Sequence, residues 1–416
     1  MATSTQGLST PSSVDELGIR RTLLEELALK ALFTLGEVSL RQLADFLCLK
    51  LSVTEEIVAR LRKDQLCEVT GMVTAVPRYV TSEPGKLRAL SALSQCRYVG
   101  PVPVSLSDYA ARVREQSLGT LGFNRERFES KFGHLVLQET LLGQVGTAVV
   151  SGQALFLYGP PGSGKTSIAE AISSAFGGGE ILVPYAVETE GQIITIFDPV
   201  THGESKNTQE IDADRRWVMC HRPTVLAGGE LTPEMLDLQF NPATRFYTAP
   251  LQMKANNGVL VIDDFGRQRM RPEELLNRWV VPLDRGIDFV ALFGGRKLEI
   301  PFEVFVVFAT NLEPAALVDE AFLRRIQTKV KVGLITNEDF KEIFRRVCES
   351  HSIEYRPAMV DLVIHEVTKT YGQPLRACHP RDLIRQIEWT AKYYGRVPEV
   401  TEATLLQACE NYFVSE

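Results

Sequence analysis

Near the start of the chain, Leu23, Leu24, Leu27, Ala31 and Leu32 recur at three- and four-residue spacings, an apolar stripe that predicts a helix over 19–33, ended by Gly36. A short helix after Ser39 carries Leu43 and Phe46. A third is expected to start at Ser52, where Ser52 and Glu55 form a capping-box pattern, and presents Val53, Ile57, Val58 and Leu61. Two β-like runs, 66–70 and 78–81, lie around Gly71 and Pro77, and a further helix begins near Pro84. The pattern then changes. Runs 154–158, 258–262 and 304–309 are apolar and of strand length, with a helical stretch after the first. From Thr336, with Asp339 as a second start signal, the pattern is helical again, with further helices near 358–369, 380–394 and 402–412.

These signals divide the chain into a polar, disordered leader (1–14), a small helical domain (15–97), a linker (98–119), an α/β core (120–334) and a helical C-terminal unit (335–416). Pro101 and Pro103 make the start of the linker extended, because each disfavours helix in the residue before it. Three helices, a two-stranded wing and a fourth helix resemble a winged helix-turn-helix domain. Such a domain either places its third helix in a DNA major groove or docks a protein. Glu55 and Glu56 open that helix, and the near balance of acids and bases across 15–97 favours docking.

The bulk composition narrows the function classes. Of the 416 residues 44% are hydrophobic and 23% charged, an ordinary globular balance, and the net charge of −7 argues against a chain devoted to nucleic acid. The most apolar stretch, 135–158, is interrupted by Gln138, Glu139 and Gln144, so no bilayer span is expected. Residues 1–13 lack the basic and apolar regions of a secretory signal. The seven cysteines include no CxxC pair, which points to reduced thiols and a cytoplasmic protein. Cys378 and His379 are adjacent, but two ligands do not make a zinc site.

The chemistry is concentrated in two motifs. The run 154–158 is followed by Gly159, Pro160, Pro161, Gly162, Ser163, Gly164, Lys165 and Thr166, and then by a helix. Strand, glycine loop and helix, in that order, are the context of a phosphate-binding loop. The glycines permit close backbone approach, and the loop N–H groups and helix N-terminus then face phosphates. Lys165 is expected to bridge the β- and γ-phosphates of ATP, and the Thr166 hydroxyl to hold Mg²⁺. The second apolar strand ends in Asp263 and Asp264. Asp263 is expected to orient Mg²⁺ through its water shell and Asp264 to polarise the attacking water.

With these motifs, the chain resembles the AAA+ ATPases over roughly 120–413. The resemblance implies an α/β P-loop core, a helical lid and a homo-oligomeric, hexameric ring. The strand 304–309 runs into Thr310 and Asn311, similar to the family's first sensor, which implies that Asn311 holds the attacking water or γ-phosphate. The segment 317–326 is similar to the one that carries the arginine finger, so Arg324 or Arg325 would reach a neighbour's nucleotide. His379, Pro380 and Arg381 are similar to the second sensor of the lid, with Arg381 acting on the γ-phosphate. A hairpin is expected around 288–300, with Gly294 and Gly295 at its turn. It looks like the insertion of MoxR-like and enhancer-binding ATPases, which tends to face the pore or the substrate.

Two features depart from the family pattern. Asp264 stands where most active members have Glu, one methylene longer, which implies slower hydrolysis. The stretch 180–257 is long and reads as an insertion within the core; in it Glu230 is either a second carboxylate near the water or part of a surface turn. The run Gly228-Gly229-Glu230, together with Leu276 to Trp279, is similar to AAA+ proteins described as chaperone-like. The leading expectation is a ring ATPase (ATP and Mg²⁺) that remodels a protein partner. The alternatives are a DNA-directed ATPase and a nucleotide-gated scaffold with little turnover.

Overall fold

The apolar stripe of the first helix packs as its spacing predicts. The computed structural model describes residues 10–73, 76–120, 124–152, 154–176, 179–205, 213–317 and 323–413. Its N-terminal unit comprises α1 (Arg21–Leu35), β1 (Val38–Ser39), α2 (Leu40–Leu47), α3 (Leu51–Lys63), β2 (Cys67–Val73), β3 (Val76–Thr81) and α4 (Glu83–Gln95). Leu24, Leu27 and Leu32 of α1 bury against Leu43, Leu47, Ile57, Val58 and Leu61 of α2 and α3. The sheet has three antiparallel strands rather than two, in the order β1-β3-β2. The capping box lies one helix earlier than expected, on Ser39 and Gln42 at the start of α2. Helix α3 already begins at Leu51, so Ser52 falls inside its first turn and cannot cap it. Of the leader expected to be disordered, residues 1–9 lie outside the described residues, while Val14 is buried in this core.

The stretch expected to be a linker is also folded. Only its proline-rich start is extended; β4 (Val104–Ser105) and α5 (Leu106–Glu115) follow, with the Ser105 side chain accepting the Asp108 N–H. Tyr109 and Val113 of α5 are buried. The remaining helices before the centre of the fold are α6 (Arg125–Phe132) and α7 (Glu139–Ser151).

The central sheet is built from β5 (Leu155–Tyr158), which is followed by α8 (Lys165–Phe176). The later strands are β6 (Glu180–Pro184), β7 (Ala186–Thr189), β8 (Gln192–Thr195), β9 (Trp217–His221), β10 (Thr224–Ala227), β11 (Gln239–Asn241), β12 (Phe246–Thr248), β13 (Val259–Ile262), β14 (Ile287–Ala291), β15 (Lys297–Pro301), β16 (Phe305–Thr310) and β17 (Thr328–Lys331). Four of these and β5 pair in parallel in the order β10-β13-β16-β5-β17. Both faces are covered, so β13 is apolar throughout, and β5 and β16 are apolar up to their last residues, Tyr158 and Thr310, rather than alternating. Phe156 and Phe308 point to one core with Phe265 and Trp279; Leu155, Leu157 and Val307 point to the other with Ile168 and Ile172 of α8. The edge strand β17 alternates instead and exposes Lys329 and Lys331 around buried Val330.

The expected insertion, joined at one edge by β4, forms a second, mixed sheet, β11-β12-β8-β7-β4; the antiparallel pair β6-β9 of the insertion and the later pair β14-β15 accompany it. Trp217, Tyr247, Val290 and Ile300 lie in its core. Ala186 and Ile193 of this sheet belong to the core of the N-terminal unit, so the two pack as one body. The helix expected over 273–284 is split into Pro272–Arg278 and Val280–Arg285. Pro282 has no N–H to return to the Arg278 carbonyl, and the helix breaks there. The freed Arg278 side chain pairs with fully buried Asp288 and so pins the hairpin base.

Among the described residues the C-terminal unit is four α-helices, Asn337–Ser350, Pro357–His365, His379–Tyr393 and Glu402–Tyr412, with a π-helical turn, Glu366–Thr370, after the second, around Phe340, Phe344, Val360, Leu383 and Leu405. Thr336 and Asp339 cap the first of these in a capping box. The aromatic cluster of the central sheet makes the fold testable. The Phe308 ring centroid lies 5.1 Å from that of Phe265 and 6.0 Å from that of Phe156. Phe308→Ala is expected to destabilise the α/β core by about 3–5 kcal/mol, read as a lower urea midpoint.

Candidate functional site

Parallel strands put all their carboxyl ends at one edge of the sheet, and that edge carries the site. The loop between β5 and α8 holds the glycine motif. Gly159 has φ +148°, and a Cβ there would stand 2.1 Å from the Val332 carbonyl oxygen after β17. Gly162 has φ +75°, and a Cβ there would stand 2.5 Å from Cys378 Sγ of the C-terminal unit. Close approach of two neighbouring chain segments therefore demands glycine at both positions.

Lys165, in the first turn of α8, is buried. Its ammonium donates to the carbonyls of Gly159 and Pro160, both at 2.9 Å, and lies 3.4 Å from the Ser163 hydroxyl. Burial pushes its pKa down, opposed by the charges of Asp263 and Asp264. The next residue, Thr166, donates its hydroxyl to Asp263 Oδ2 at 3.0 Å. A hydroxyl and a carboxylate from separate elements are thus placed side by side, the oxygen donor set that Mg²⁺ takes beside a nucleotide.

Strand order explains how the second acid meets Asn311. β16 lies between β5 and β13, so its end is flanked by the glycine loop on one side and the acids on the other. Two hydrogen bonds lock the turn after β13 onto β16: Phe265 N–H to the Ala309 carbonyl at 2.7 Å, and the Thr310 hydroxyl to the Phe265 carbonyl at 2.6 Å. Asp264 sits in that turn in the left-handed region, φ +49°, which a short polar side chain tolerates. Its Oδ1 accepts from Asn311 Nδ2 at 2.9 Å. Gln268 braces the same turn, donating to the Asp263 carbonyl and accepting the Gly266 N–H, each at 2.8 Å. Nothing in the sequence reading pointed to Gln268.

Lys165, Thr166, Asp263, Asp264, Asn311 and Arg381 all line one cavity of about 1090 Å³. Leu135, Leu137, Ile335 and Ile343 also line it, an apolar complement that suits a flat heterocycle. These apolar positions were not read from the sequence, because they acquire their role only when 133–137 meets the first C-terminal helix. Arg346 of that helix makes the junction by donating to the carbonyls of Gly133 at 2.8 Å and Leu135 at 3.1 Å. Arg381, half-exposed, is held by Asp382 at 3.1 Å, and Asp382 in turn accepts from the Tyr412 hydroxyl.

Arg324 and Arg325 are not among the residues that line this cavity. Arg325 donates to Asp284 at 3.1 Å, and residues 318–322 of the expected finger segment lie outside the described residues. Glu230 closes the turn with the Gly228 N–H at 2.9 Å and does not line the cavity, the surface-turn reading of that residue.

A family model described as a domain of unknown function (DUF8689) matches residues 336–411, the C-terminal helices. No curated protein sequence matches the chain. Among solved structures, NtrX from Brucella abortus is similar at 15% identity and a TM-score of 0.41, covering 67% of this chain and 57% of that chain. The same protein in complex with ATP covers 77% of this chain and 62% of that chain, also at 15% identity and 0.41. RuvB from Thermotoga maritima, described as a Holliday junction branch migration motor, is similar at 16% identity and a TM-score of 0.38, covering 66% of this chain and 69% of that chain. The chain thus spans little more than half of the NtrX chain. No described helix is long and apolar enough to cross a membrane.

The loop contact gives the site its own test. Gly162→Ala places a methyl group against Cys378 and forces a left-handed non-glycine backbone, a strain of about 1–3 kcal/mol. The expected outcome is roughly tenfold or greater loss of affinity for a fluorescent ATP analogue, with the urea midpoint of the core lowered by no more than that strain accounts for.

Proposed function

We propose that this chain is an ATP-binding and ATP-hydrolysing protein of the AAA+ type, which works in a hexameric ring and remodels a protein partner in the cytoplasm. The observation that carries the reading is the convergence of Lys165, Thr166, Asp263, Asp264, Asn311 and Arg381 on one cavity from four separate elements. The strand order and the glycine loop between β5 and α8 agree with a P-loop core, and the four C-terminal helices agree with a lid.

In this reading the Lys165 ammonium leaves the loop carbonyls for the β- and γ-phosphates, where it offsets charge that the bare loop cannot. Thr166 and Asp263 would hold Mg²⁺. The ion, when bound with the nucleotide, neutralises charge on the phosphates. Asp264 and Asn311, already joined by a hydrogen bond, position the attacking water, and Asp264 accepts its proton. Arg381 leaves Asp382 for the γ-phosphate. Arg324 or Arg325, outside the wall of their own cavity, serve the site of the next subunit, and this trans role is the reason for the ring.

The N-terminal unit has the element order of a winged helix-turn-helix. Docking of a protein is favoured over DNA reading by α3 itself: Glu55 and Glu56 are exposed on its first turns, where a groove reader would meet phosphates. The unit shares its core with the insertion sheet, which also bears the β14-β15 hairpin, so a partner held there is mechanically coupled to the ATPase.

ATP turnover per subunit, measured against protein concentration, tests the central claim. It is expected to rise and then plateau, to vanish in Lys165→Ala and to fall by about 10³-fold or more in Arg324→Ala. If Arg324→Ala is silent, Arg325→Ala is expected to show the loss. A flat, minimal rate with intact ATP binding would replace the ring ATPase by a nucleotide-gated scaffold. Fluorescence anisotropy with duplex DNA at stepped salt is expected to show no tight binding; tight binding with a steep salt slope would favour the DNA-directed reading.

A further inference from the structure

We propose that Arg376 is a second positioning residue for the nucleotide phosphates, distinct from Arg381; this rests on the ATP reading above. The Cys378 N–H donates to the Gly162 carbonyl at 3.1 Å, which draws 376–378 against the phosphate loop. The Arg376 side chain runs along the same glycine: its Cδ and Cβ lie 3.5 and 3.6 Å from where a Gly162 Cβ would be. Its Nε is buried and has no hydrogen-bond partner. Among the described residues no carboxylate pairs with it, whereas Arg345 and Arg346 are tied to Glu342, and Arg381 to Asp382. The imidazole nearest in sequence adds no competing positive charge. His379 is buried, its Nδ1 faces the Arg376 N–H at 3.4 Å, and burial together with the charge of Arg376 pushes its pKa down to about 4.

A buried guanidinium N–H without an acceptor is costly, and it persists where an acceptor arrives with a ligand. The loop that Arg376 touches takes a polyanion, and a guanidinium presents paired donors that match phosphate oxygens. Arg376 is not part of the cavity wall as it stands. From a stem already on Gly162, rotation beyond Cδ would bring its charged end round the loop to the terminal phosphates. The helix His379–Tyr393 starts beside it, and its N-terminus favours the same anion. Two lid arginines would then close on the triphosphate, Arg381 from the helix and Arg376 from the turn before it.

The test is the affinity of the full-length chain for ATP, ADP and AMP in wild type, Arg376→Met and Arg376→Lys. Met keeps the stem against Gly162 and removes the charge; Lys keeps both. Arg376→Met is expected to weaken ATP about tenfold or more, ADP less and AMP hardly at all, with the ATP loss shrinking at high salt and Arg376→Lys recovering much of it. Equal losses for all three nucleotides would reduce Arg376 to a packing role and overturn the proposal, as would unchanged ATP affinity in Arg376→Met. A wild type that binds none of the three, or in which Lys165→Ala changes nothing, would instead overturn the ATP reading on which the proposal rests.

Discussion

Parallel strands cannot be joined by tight turns, and the rest of this molecule follows from that constraint. Each of the five central strands must return through a helix or a longer excursion before the next begins, so every strand releases its following loop at the same edge. The order β10-β13-β16-β5-β17 then decides which loops are neighbours. β16 separates the glycine loop from the paired acids and places Asn311 between them. The bonds from Phe265 and Thr310 hold this register, and the Thr166–Asp263 hydrogen bond closes the gap between α8 and β13. A one-residue slip in β16 would turn Phe308 out of its aromatic cluster and carry Asn311 away from Asp264.

The long returns are used as well. The excursion between α8 and β13 builds the second sheet, and the one between β13 and β16 builds the hairpin that packs on it. Because the N-terminal unit shares apolar core with that sheet, the two pack as one body. Motion in the proposed cycle is therefore expected at the other side of the site, where the C-terminal helices meet the glycine loop and the segment 133–137 through polar contacts: Cys378 to Gly162, and Arg346 to Gly133 and Leu135. Such contacts are exchanged more cheaply than buried apolar area.

Local rules succeeded where one segment settles its own conformation. The stripe of α1, the glycine loop between an apolar strand and a helix, the helix start at Thr336 and the helical C-terminal pattern were all legible. They failed where a signal was judged without its neighbours. Ser52 looks like a cap until Leu51 is seen to be already helical. Residues 98–119 look like a linker because Pro101 and Pro103 are conspicuous, while Tyr109 and Val113 of α5 reveal their burial only against the insertion sheet. Pro282 was present to be read, but an apolar period of helical spacing hid the break it causes.

For the candidate site the division is similar. The sequence by itself determined the chemical types and their local settings: a lysine and a threonine after a glycine loop, two acids and an asparagine at the ends of apolar strands, and arginines in a helical tail. Those follow from contiguous residues, whose geometry is set by short-range sterics and hydrogen bonding. Only the tertiary structure decided that Asp264 and Asn311 touch, that Gln268 braces their turn, that 133–137 and Arg346 complete an apolar wall, and that Arg376 lies on Gly162. These pairs are far apart in the chain or depend on the exact path of a turn. What brings them together is the order of strands in the sheet and the docking of the helical unit, which are collective results of burying many apolar side chains at once.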